Sequence, residues 1–435
     1  MFRRILAVIA IAAVLALPAA PAGAQLTVQI LKGMAESVPI AIVPLAWDGP
    51  GAMPYDVAAT VHADLERSGR FRPLPRAQLL EQPHAAGEVD TADWRMLKVD
   101  YVLVGRLSAL ADGRFEIRYE LVSVANGERL HGTAVPADPR ALKRASHRVS
   151  DAVYEKILGV RGAFATRIAY VAVDGPVNKR NYRLIVSDAD GANERVVFGS
   201  PDPIMSPAWS PDGRSIAYVS FHSGLSAVYV QTLATGSQVQ VSAKSGINGA
   251  PAFSPDGSRL ALALSRRDGN VDVYVLTLAT QELQRITEDP AIDTEPNWSP
   301  DGRSLYFTSD RAGAPQVYSV AVEPGARAQR VTFEGGYNAR PRISPDGRQI
   351  AVVTLDRGAY RIGSVDARSG GLQVLSGGAL NESPSFAPNG ADILYTSRVG
   401  GRDTLAIVSS DGRVQRQIAA SAGELREAAW SPFLD

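Results

Sequence analysis

The sequence of 435 residues contains no cysteine. This absence excludes disulfide bonds, cysteine-ligated zinc or iron–sulfur sites and thiol nucleophiles. The chain also lacks an excess of one charge, because 45 Lys and Arg balance 45 Asp and Glu. A nucleic-acid-binding protein needs a basic surplus to neutralise phosphates, so we exclude nucleic acid as a partner.

The sequence also contains none of the short motifs typical of common catalytic sites: no G-x-S-x-G, no P-loop and no dinucleotide fingerprint. Its five histidines show no i, i+4 pairing, so no histidine-based metal site is predicted. They are His62, His84, His131, His147 and His222. We therefore expect no cofactor and no metal, although the loop Asp188-Ala189-Asp190-Gly191 leaves calcium open as an alternative to an ordinary hairpin turn.

The N-terminal segment has the pattern of a secretory signal peptide. Arg3 and Arg4 precede an uncharged apolar run over residues 5–17, and Ala22-Gly23-Ala24 closes the segment. This run of 13 residues is shorter than the roughly 20 that a transmembrane helix needs. We predict residues 1–24 as a cleaved signal peptide. No later stretch is long and apolar enough to span a bilayer, so no membrane insertion of the mature chain is expected.

The C-terminal two thirds of the chain contain six copies of one short pattern. Their shared prolines (Pro432 in the last copy) are 44, 45, 45, 43 and 44 residues apart. The copies are PAWSPDG (207–213), PAFSPDG (251–257), PNWSPDG (296–302), PRISPDG (341–347), PSFAPNG (384–390) and AAWSPF (428–433). Pro, Asp and Gly in this order are typical of a type I turn after a strand.

Apolar stretches between the copies predict four antiparallel strands per unit, which is the composition of a β-propeller blade. A lone strand at residues 167–171 precedes the first copy, and the last copy has no strands behind it. Together the two ends would complete one blade and close the ring, which removes the open edges of a linear array. We predict an all-β six-bladed propeller over residues 163–435, with Trp209, Trp298 and Trp430 packed between blades.

Residues 25–162 have a different pattern, which predicts a small α/β domain. Strands are predicted at residues 39–45, 71–74, 100–107 and 115–124, and helices at 55–69 and 140–158. The first residues of this region, 25–37, alternate weakly and precede the first clear strand. They are predicted as either a mobile N-terminal arm or an ordinary edge strand.

With these features the sequence resembles the TolB family of the Tol-Pal system in Gram-negative envelopes. The resemblance covers nearly the whole chain. The stretches that carry it are TRIAYV (166–171), MSPAWSPDG (205–213), NGAPAFSPDG (248–257), TEPNWSPDG (294–302) and AAWSP (428–432). It implies a periplasmic binding protein and not an enzyme, monomeric outside its complexes, which maintains outer-membrane integrity and supports constriction at cell division.

The resemblance also implies two partner sites, coupled to each other. The outer-membrane lipoprotein Pal is expected on one propeller pole, and the C-terminal domain of the inner-membrane protein TolA on the arm. The expected Pal residues are Met205, Ser206, Asn248, Gly249, Ala250, Thr294, Glu295 and Glu382. The expected TolA residues are Gln25, Leu26, Thr27, Val28, Gln29, Ile30, Leu31 and Lys32.

Two other functions stay open from the sequence. A hydrolase or lyase acting on an envelope polymer would need acidic groups that converge in the propeller pocket, and Glu295, Glu382 and Glu427 are the candidates. A passive scaffold would bind partners without coupling between its sites. The mixed residue types around the pole favour an irregular protein surface over a symmetric metal or phosphate site.

Overall fold

The computed structural model describes residues 27–32, 37–265, 269–419 and 423–434. The predicted signal peptide and the arm residues Gln25 and Leu26 lie outside this described part. Among the residues that are described, none of the helices combines the length and the apolar character that a membrane span requires.

The chain begins with strand β1 (Thr27–Lys32), which belongs to the propeller, and continues into the α/β domain. The strands of this domain are β2 (Val38–Ile42), β3 (Ala46–Asp48), β4 (Phe71–Pro73), β5 (Tyr101–Ala109), β6 (Phe115–Ser123) and β7 (Arg129–Ala137). Its α-helices are α1 (Val57–Arg67), α2 (Thr91–Met96) and α3 (Leu142–Leu158). The sheet order is β4-β2-β5-β6-β7, with β3 paired to β5.

Local hydrogen bonding and backbone geometry explain where helix α1 begins and ends. The Asp56 carboxylate caps α1 by accepting a hydrogen bond from the Ala59 N–H, and Gly69 follows the helix with a φ of +68°. Helices α1 and α3 bury apolar residues such as Val61 and Val153 on one face of the sheet. Trp94 of the shorter α2 packs on the other face. Strand β3, strand β7 and helix α2 are missing from the sequence-based expectation, because each is short or lacks a clear apolar alternation.

The second domain is a six-bladed propeller, which confirms the predicted fold class. Blade 1 contains β8 (Arg167–Asp174), β9 (Asn181–Asp188) and β10 (Arg195–Ser200); blade 2 contains β11 (Ile204–Trp209), β12 (Ser215–Ser220), β13 (Ala227–Thr232) and β14 (Gln238–Ser242). Blade 3 contains β15 (Asn248–Phe253), β16 (Arg259–Ser265), β17 (Val271–Thr277) and β18 (Leu283–Arg285). Blade 4 contains β19 (Asp293–Trp298), β20 (Ser304–Ser309), β21 (Gln316–Ala321) and β22 (Gln329–Arg330).

The remaining blades complete the ring. Blade 5 contains β23 (Asn338–Ile343), β24 (Gln349–Asp356), β25 (Ala359–Asp366) and β26 (Leu372–Val374); blade 6 contains β27 (Asn381–Phe386), β28 (Asp392–Val399), β29 (Arg402–Ser409) and β30 (Gln415–Ala419). The last strand, β31 (Glu424–Trp430), pairs antiparallel with β8 and completes blade 1. The ring is therefore closed by its two ends, as the sequence predicted.

The repeated motif forms the turn that follows each inner strand. In the first copy the Gly213 N–H donates to the Ser210 carbonyl, and the Ser210 hydroxyl donates to Asp212 and accepts from the Ser215 N–H. We call the end of the ring that carries these turns the turn pole. The opposite end is called the far pole. It carries the start of β11, the loop at residues 221–226 and the segments 201–203, 243–247, 286–292, 331–337 and 375–380.

The motif tryptophans are buried between blades, as predicted from their shared position. The Trp209 indole N–H donates to the Ala429 carbonyl of blade 1 at 3.1 Å, and the Trp298 indole N–H donates to the Ala252 carbonyl of blade 3 at 3.0 Å. Each indole thus joins its own inner strand to the inner strand of the preceding blade.

Strand β1 pairs antiparallel with β30 and makes blade 6 a five-stranded sheet. Thr27 lies opposite Ala419, and Gln29 lies opposite Gln417. The sequence left open whether the arm is mobile or an ordinary edge strand. In the structure its described part, Thr27–Lys32, is an edge strand of blade 6. The reason is an open strand edge on blade 6 that the sequence does not reveal.

The α/β domain contacts the turn pole at blades 1 and 6. Arg70 forms an ion pair with Asp411 at 2.8 Å, and the Arg416 guanidinium donates to the Arg67 carbonyl at 3.2 Å. Lys143 of α3 forms an ion pair with Asp190 of blade 1 at 2.7 Å. These contacts fix the α/β domain at the turn pole, and none of them involves the far pole.

Candidate protein-binding site

A ring of six residues with left-handed backbone lines the central channel. One residue comes from each inner strand, and each has a φ between +47° and +55°. They are Ser206, Ala250, Glu295, Arg340, Ser383 and Glu427. The register of every inner strand shifts at this point, as in a β-bulge, which re-aims a side chain. The residue directly before each motif copy therefore meets its counterparts from the other blades around the channel.

Arg340 forms ion pairs with both acidic residues of this ring. Its Nε lies 2.7 Å from Glu295 Oε1, and its Nη1 lies 3.6 Å from Glu427 Oε1. Burial alone would lower the pKa of Arg340, but the carboxylates of Glu427, Glu295 and Glu382 outweigh burial and raise the pKa above its ordinary value. Arg340 is thus a permanent cation at the centre of the ring.

The two glutamates of the ring do not form a free acid–base pair. Glu295 also accepts hydrogen bonds from the Arg340 N–H at 3.0 Å and from the Thr308 hydroxyl at 2.9 Å, and Glu427 accepts one from the Ser206 N–H at 3.2 Å. A general acid must carry a transferable proton, whereas these carboxylates already accept from fixed donors. Glu382, the third acidic candidate, does not line the constriction that the ring forms.

The channel widens from this ring toward the turn pole. A cavity of about 480 Å³ is lined there by the motif prolines of all six blades and by aromatic rings of five of them, with Ile343 in the corresponding place of blade 5. Arg342 is the charged residue of its wall, and burial lowers the pKa of Arg342. The cavity lies on the side of the ring that the α/β domain partly covers.

The far pole carries exposed apolar side chains from several blades. They include Met205, Leu225, Ile247, Ile292 and Phe333, of which Phe333 is the most exposed at 68%. Exposed apolar residues grouped on one face of a protein mark an interaction surface. Sequence reasoning identified Met205 but missed the others. The sequence did contain a signal for two of them. Ile247 and Ile292 are apolar residues that directly precede the first residue of an inner strand.

The predicted Pal residues occupy different environments. Met205 is exposed at the far pole, whereas Ser206, Gly249, Ala250, Thr294, Glu295 and Glu382 are partly buried in the inner strands. Asn248 differs from the others, because it is only 1% exposed. Its amide accepts from Ser242 and from the Lys244 N–H, and it donates to the Lys244 carbonyl. Asn248 therefore holds the shape of the loop at residues 243–247, and its place in the Pal site stays a prediction.

An α/β domain fixed to the turn pole of a closed six-bladed propeller places the chain among two-domain β-propeller proteins. Residues 26–130 match the family model described as the TolB amino-terminal domain, and residues 154–434 match the model described as the TolB beta propeller domain. The chain therefore belongs to the TolB family, and the resemblance inferred from the sequence is confirmed.

Individual relatives agree with this assignment. The chain is 48% identical over 411 residues to a Tol-Pal system protein TolB of Xanthomonas oryzae pv. oryzae (strain MAFF 311018), covering 94% of this chain and 93% of the relative. The same identity and coverage hold for the Tol-Pal system protein TolB of Xanthomonas campestris pv. campestris (strain B100). The crystal structure of TolB from Acinetobacter baumannii is similar with a TM-score of 0.86 and 38% identity, covering 94% of this chain and all of that one.

Proposed function

We propose that this chain is a periplasmic, non-enzymatic protein of the Tol-Pal system that binds Pal at the far pole and the C-terminal domain of TolA through its arm. In this role it links the two partners, maintains outer-membrane integrity and supports constriction at division. The observation that carries the proposal is the set of exposed apolar side chains at the far pole, the end of the propeller that lies away from the α/β domain.

The composition of the far pole suits a protein partner. Protein interfaces combine apolar anchors that become buried with a smaller number of fixed polar groups. Phe333 and Ile292 are candidate anchors. The channel ring around Arg340 holds fixed polar groups. The alternative, a hydrolase or lyase for an envelope polymer, has weaker support because Glu295 and Glu427 are engaged by Arg340.

Strand β30 competes with TolA for the arm, because β1 pairs with β30 within the same chain. While β1 is part of blade 6, one of its backbone edges is occupied by β30. A partner that needs this edge binds only the fraction of molecules in which the arm is released. Blade 6 also contributes Ser383 to the channel ring. We therefore propose that the two sites are coupled through blade 6, and such coupling must be reciprocal in affinity.

Replacing Phe333 by aspartate is expected to weaken Pal binding by about 30-fold or more, the loss typical of an interface hot spot. A carboxylate in place of this apolar ring would lose its hydration when Pal binds, which costs binding free energy even with the Arg330 guanidinium nearby. The measurement is calorimetric titration of the purified variant with the soluble domain of Pal.

The matched control for this experiment is Leu80→Asp. Leu80 is 61% exposed, comparable with Phe333, but it lies in the α/β domain. Its replacement should leave Pal affinity unchanged, and thermal unfolding should show that both variants are folded. Wild-type Pal affinity in both Phe333→Asp and Met205→Asp would mean that Pal binds elsewhere.

Deleting residues 25–32 from the mature chain is expected to abolish TolA binding and to retain Pal binding. Strand β1 is a fifth strand at the edge of blade 6, so its loss should change the thermal unfolding temperature little. Pull-down with the TolA C-terminal domain measures the effect, and a variant with a Gly-Ser segment of equal length in place of the arm controls for chain length. Retained TolA binding in both variants would locate the partner site outside the arm.

A further inference from the structure

A buried histidine and two aspartates meet where α3 contacts blade 1. His147 comes from α3, Asp188 ends β9 and Asp190 lies in the turn after it. One side-chain nitrogen or oxygen atom from each of the three residues lies within 4.8 Å of the others. The His147 Nε2 is 3.7 Å from Asp190 Oδ2. The sequence left calcium binding open for the loop that contains the two aspartates. It gave no indication that a histidine of the other domain lies next to them.

The surroundings of His147 leave its Nε2 available as a metal ligand. The His147 Nδ1 lies 2.7 Å from Asp64 Oδ2, a carboxylate that also accepts from the Ser150 hydroxyl at 2.6 Å. Hydrogen bonding of Nδ1–H to Asp64 leaves the lone pair on Nε2, as in the carboxylate–histidine–metal arrangement of zinc proteins. His147 is only 2% exposed, and its Nε2 has no hydrogen-bond partner among the described residues. A buried ring nitrogen without a partner needs an explanation.

We propose that His147, Asp188 and Asp190 form a binding site for a divalent transition metal, with Zn²⁺ as the best match, at the junction of the two domains. Zinc bonds of about 2.0–2.2 Å in a tetrahedron separate neighbouring ligand atoms by about 3.3 Å. The observed 3.7 Å between His147 and Asp190 is close to this spacing. Calcium takes six to eight oxygen ligands, so an imidazole with two carboxylates fits it poorly.

Two cations compete with a metal ion for this site: Arg167, whose Nε lies 3.9 Å from Asp188 Oδ1, and Lys143. The Lys143 ammonium lies 2.7 Å from Asp190 Oδ2 and neutralises that carboxylate. The Lys143 side chain is partly exposed, so it can turn outward when a metal ion takes its place next to Asp190. A bound metal would then join α3 directly to blade 1 and hold the α/β domain on the turn pole more firmly. The site thus adds to the proposed partner binding and does not depend on it.

The test is a titration of metal-free, full mature protein with ZnCl₂, in competition with a chromophoric chelator. We expect one saturable site in the wild-type protein. His147→Gln should weaken binding at least tenfold, and Asp64→Asn should weaken it by about 10–100-fold, as for other residues that orient a metal ligand. Lys143→Met should tighten it. The control is His222→Gln, an exposed histidine of blade 2, which should leave the affinity unchanged.

A second readout keeps the test decisive if His147→Gln does not fold. Zn²⁺ should raise the thermal unfolding temperature of the wild type but not that of Asp188→Asn, whose altered side chain is partly exposed. Co²⁺ in place of Zn²⁺ should give the absorption of a tetrahedral site. Absence of saturable binding in both the wild type and Lys143→Met, or equal affinity in the wild type and the folded His147 or Asp188 variants, would overturn the proposal. His147 would then be a protonated bridge between Asp64 and Asp190.

Discussion

Replacing Trp430 by alanine is expected to lower the free energy of unfolding by about 3–5 kcal/mol, the cost of removing a large buried aromatic side chain. Trp430 ends β31 and packs in the apolar cluster shared by blades 1 and 6, where Leu394 and Ile407 are among its neighbours. Its indole N–H donates to the Thr166 hydroxyl at 2.8 Å. The same side chain therefore holds both the closing strand and the contact between the first and last blades.

The position of Trp430 in the ring makes the expected loss larger than for an isolated contact. Blade 1 is the blade that takes strands from both ends of the propeller, since β31 pairs with β8. Detachment of β31 exposes the edge of β8 and opens the cluster between blades 1 and 6. In a repeat architecture each unit is stabilised by its neighbours, so two blades lose a contact surface at once.

Urea unfolding of five purified proteins measures this effect. Trp430→Ala is compared with the wild type, with Trp430→Phe and with Val196→Ala, an exposed residue of the same blade. Trp430→Phe should show an intermediate loss because it keeps most of the apolar contact, and Val196→Ala should stay within about 0.5 kcal/mol of the wild type. Deleting residues 430–435 should destabilise the chain at least as much as Trp430→Ala. Unchanged unfolding of that truncated chain would contradict closure through β31.

Local and repeated features of the fold were predictable from the sequence. The motif copies specify a turn through Pro, Asp and Gly, and their constant spacing specifies one blade per unit. Ring closure followed from two incomplete ends, and β31 does pair with β8. These predictions succeed because each depends on residues that are close in sequence or that recur with one period.

Features that depend on distant segments were not predictable. The pairing of β1 with β30 joins segments near the two ends of the described chain. Nothing in the sequence of the arm indicates which open strand edge it pairs with. Asn248 resembles an exposed loop residue in the sequence, but the structure buries it because its amide satisfies the backbone of residues 244–246. The left-handed ring also has no sequence signal, since its members are not glycines. His147 and Asp188 meet only after the two domains pack together.

Replacing Asp64 by alanine is expected to cost about 3–5 kcal/mol of stability, the range for removing one partner of a buried ion pair. Asp64 lies in α1 and is fully enclosed. Its carboxylate accepts from the Arg67 guanidinium at 2.6 Å, from the Ser150 hydroxyl at 2.6 Å and from His147 at 2.7 Å. Alanine would leave three buried or partly buried donors without their acceptor.

The damage should extend to the contact between the domains. Arg67, one of the three donors, also accepts a hydrogen bond at its carbonyl from Arg416 of β30. Loss of its carboxylate partner frees the end of α1 at the place where this helix contacts blade 6. Because β30 is also the strand that pairs with the arm, we expect the Asp64→Ala variant to release the arm more readily and to bind TolA more tightly than the wild type.

Two matched variants separate the role of the carboxylate from general damage to α1. Glu66→Ala, two residues away on the same helix and exposed, should change the free energy of unfolding by less than about 0.5 kcal/mol. Asp64→Asn keeps one acceptor oxygen and should fall between the two alanine variants. Urea unfolding gives the stabilities, and calorimetry gives the TolA affinities. If Asp64→Ala unfolds like Glu66→Ala, the three donors find other acceptors, and the domain junction is organised around the Lys143–Asp190 and Arg70–Asp411 pairs instead.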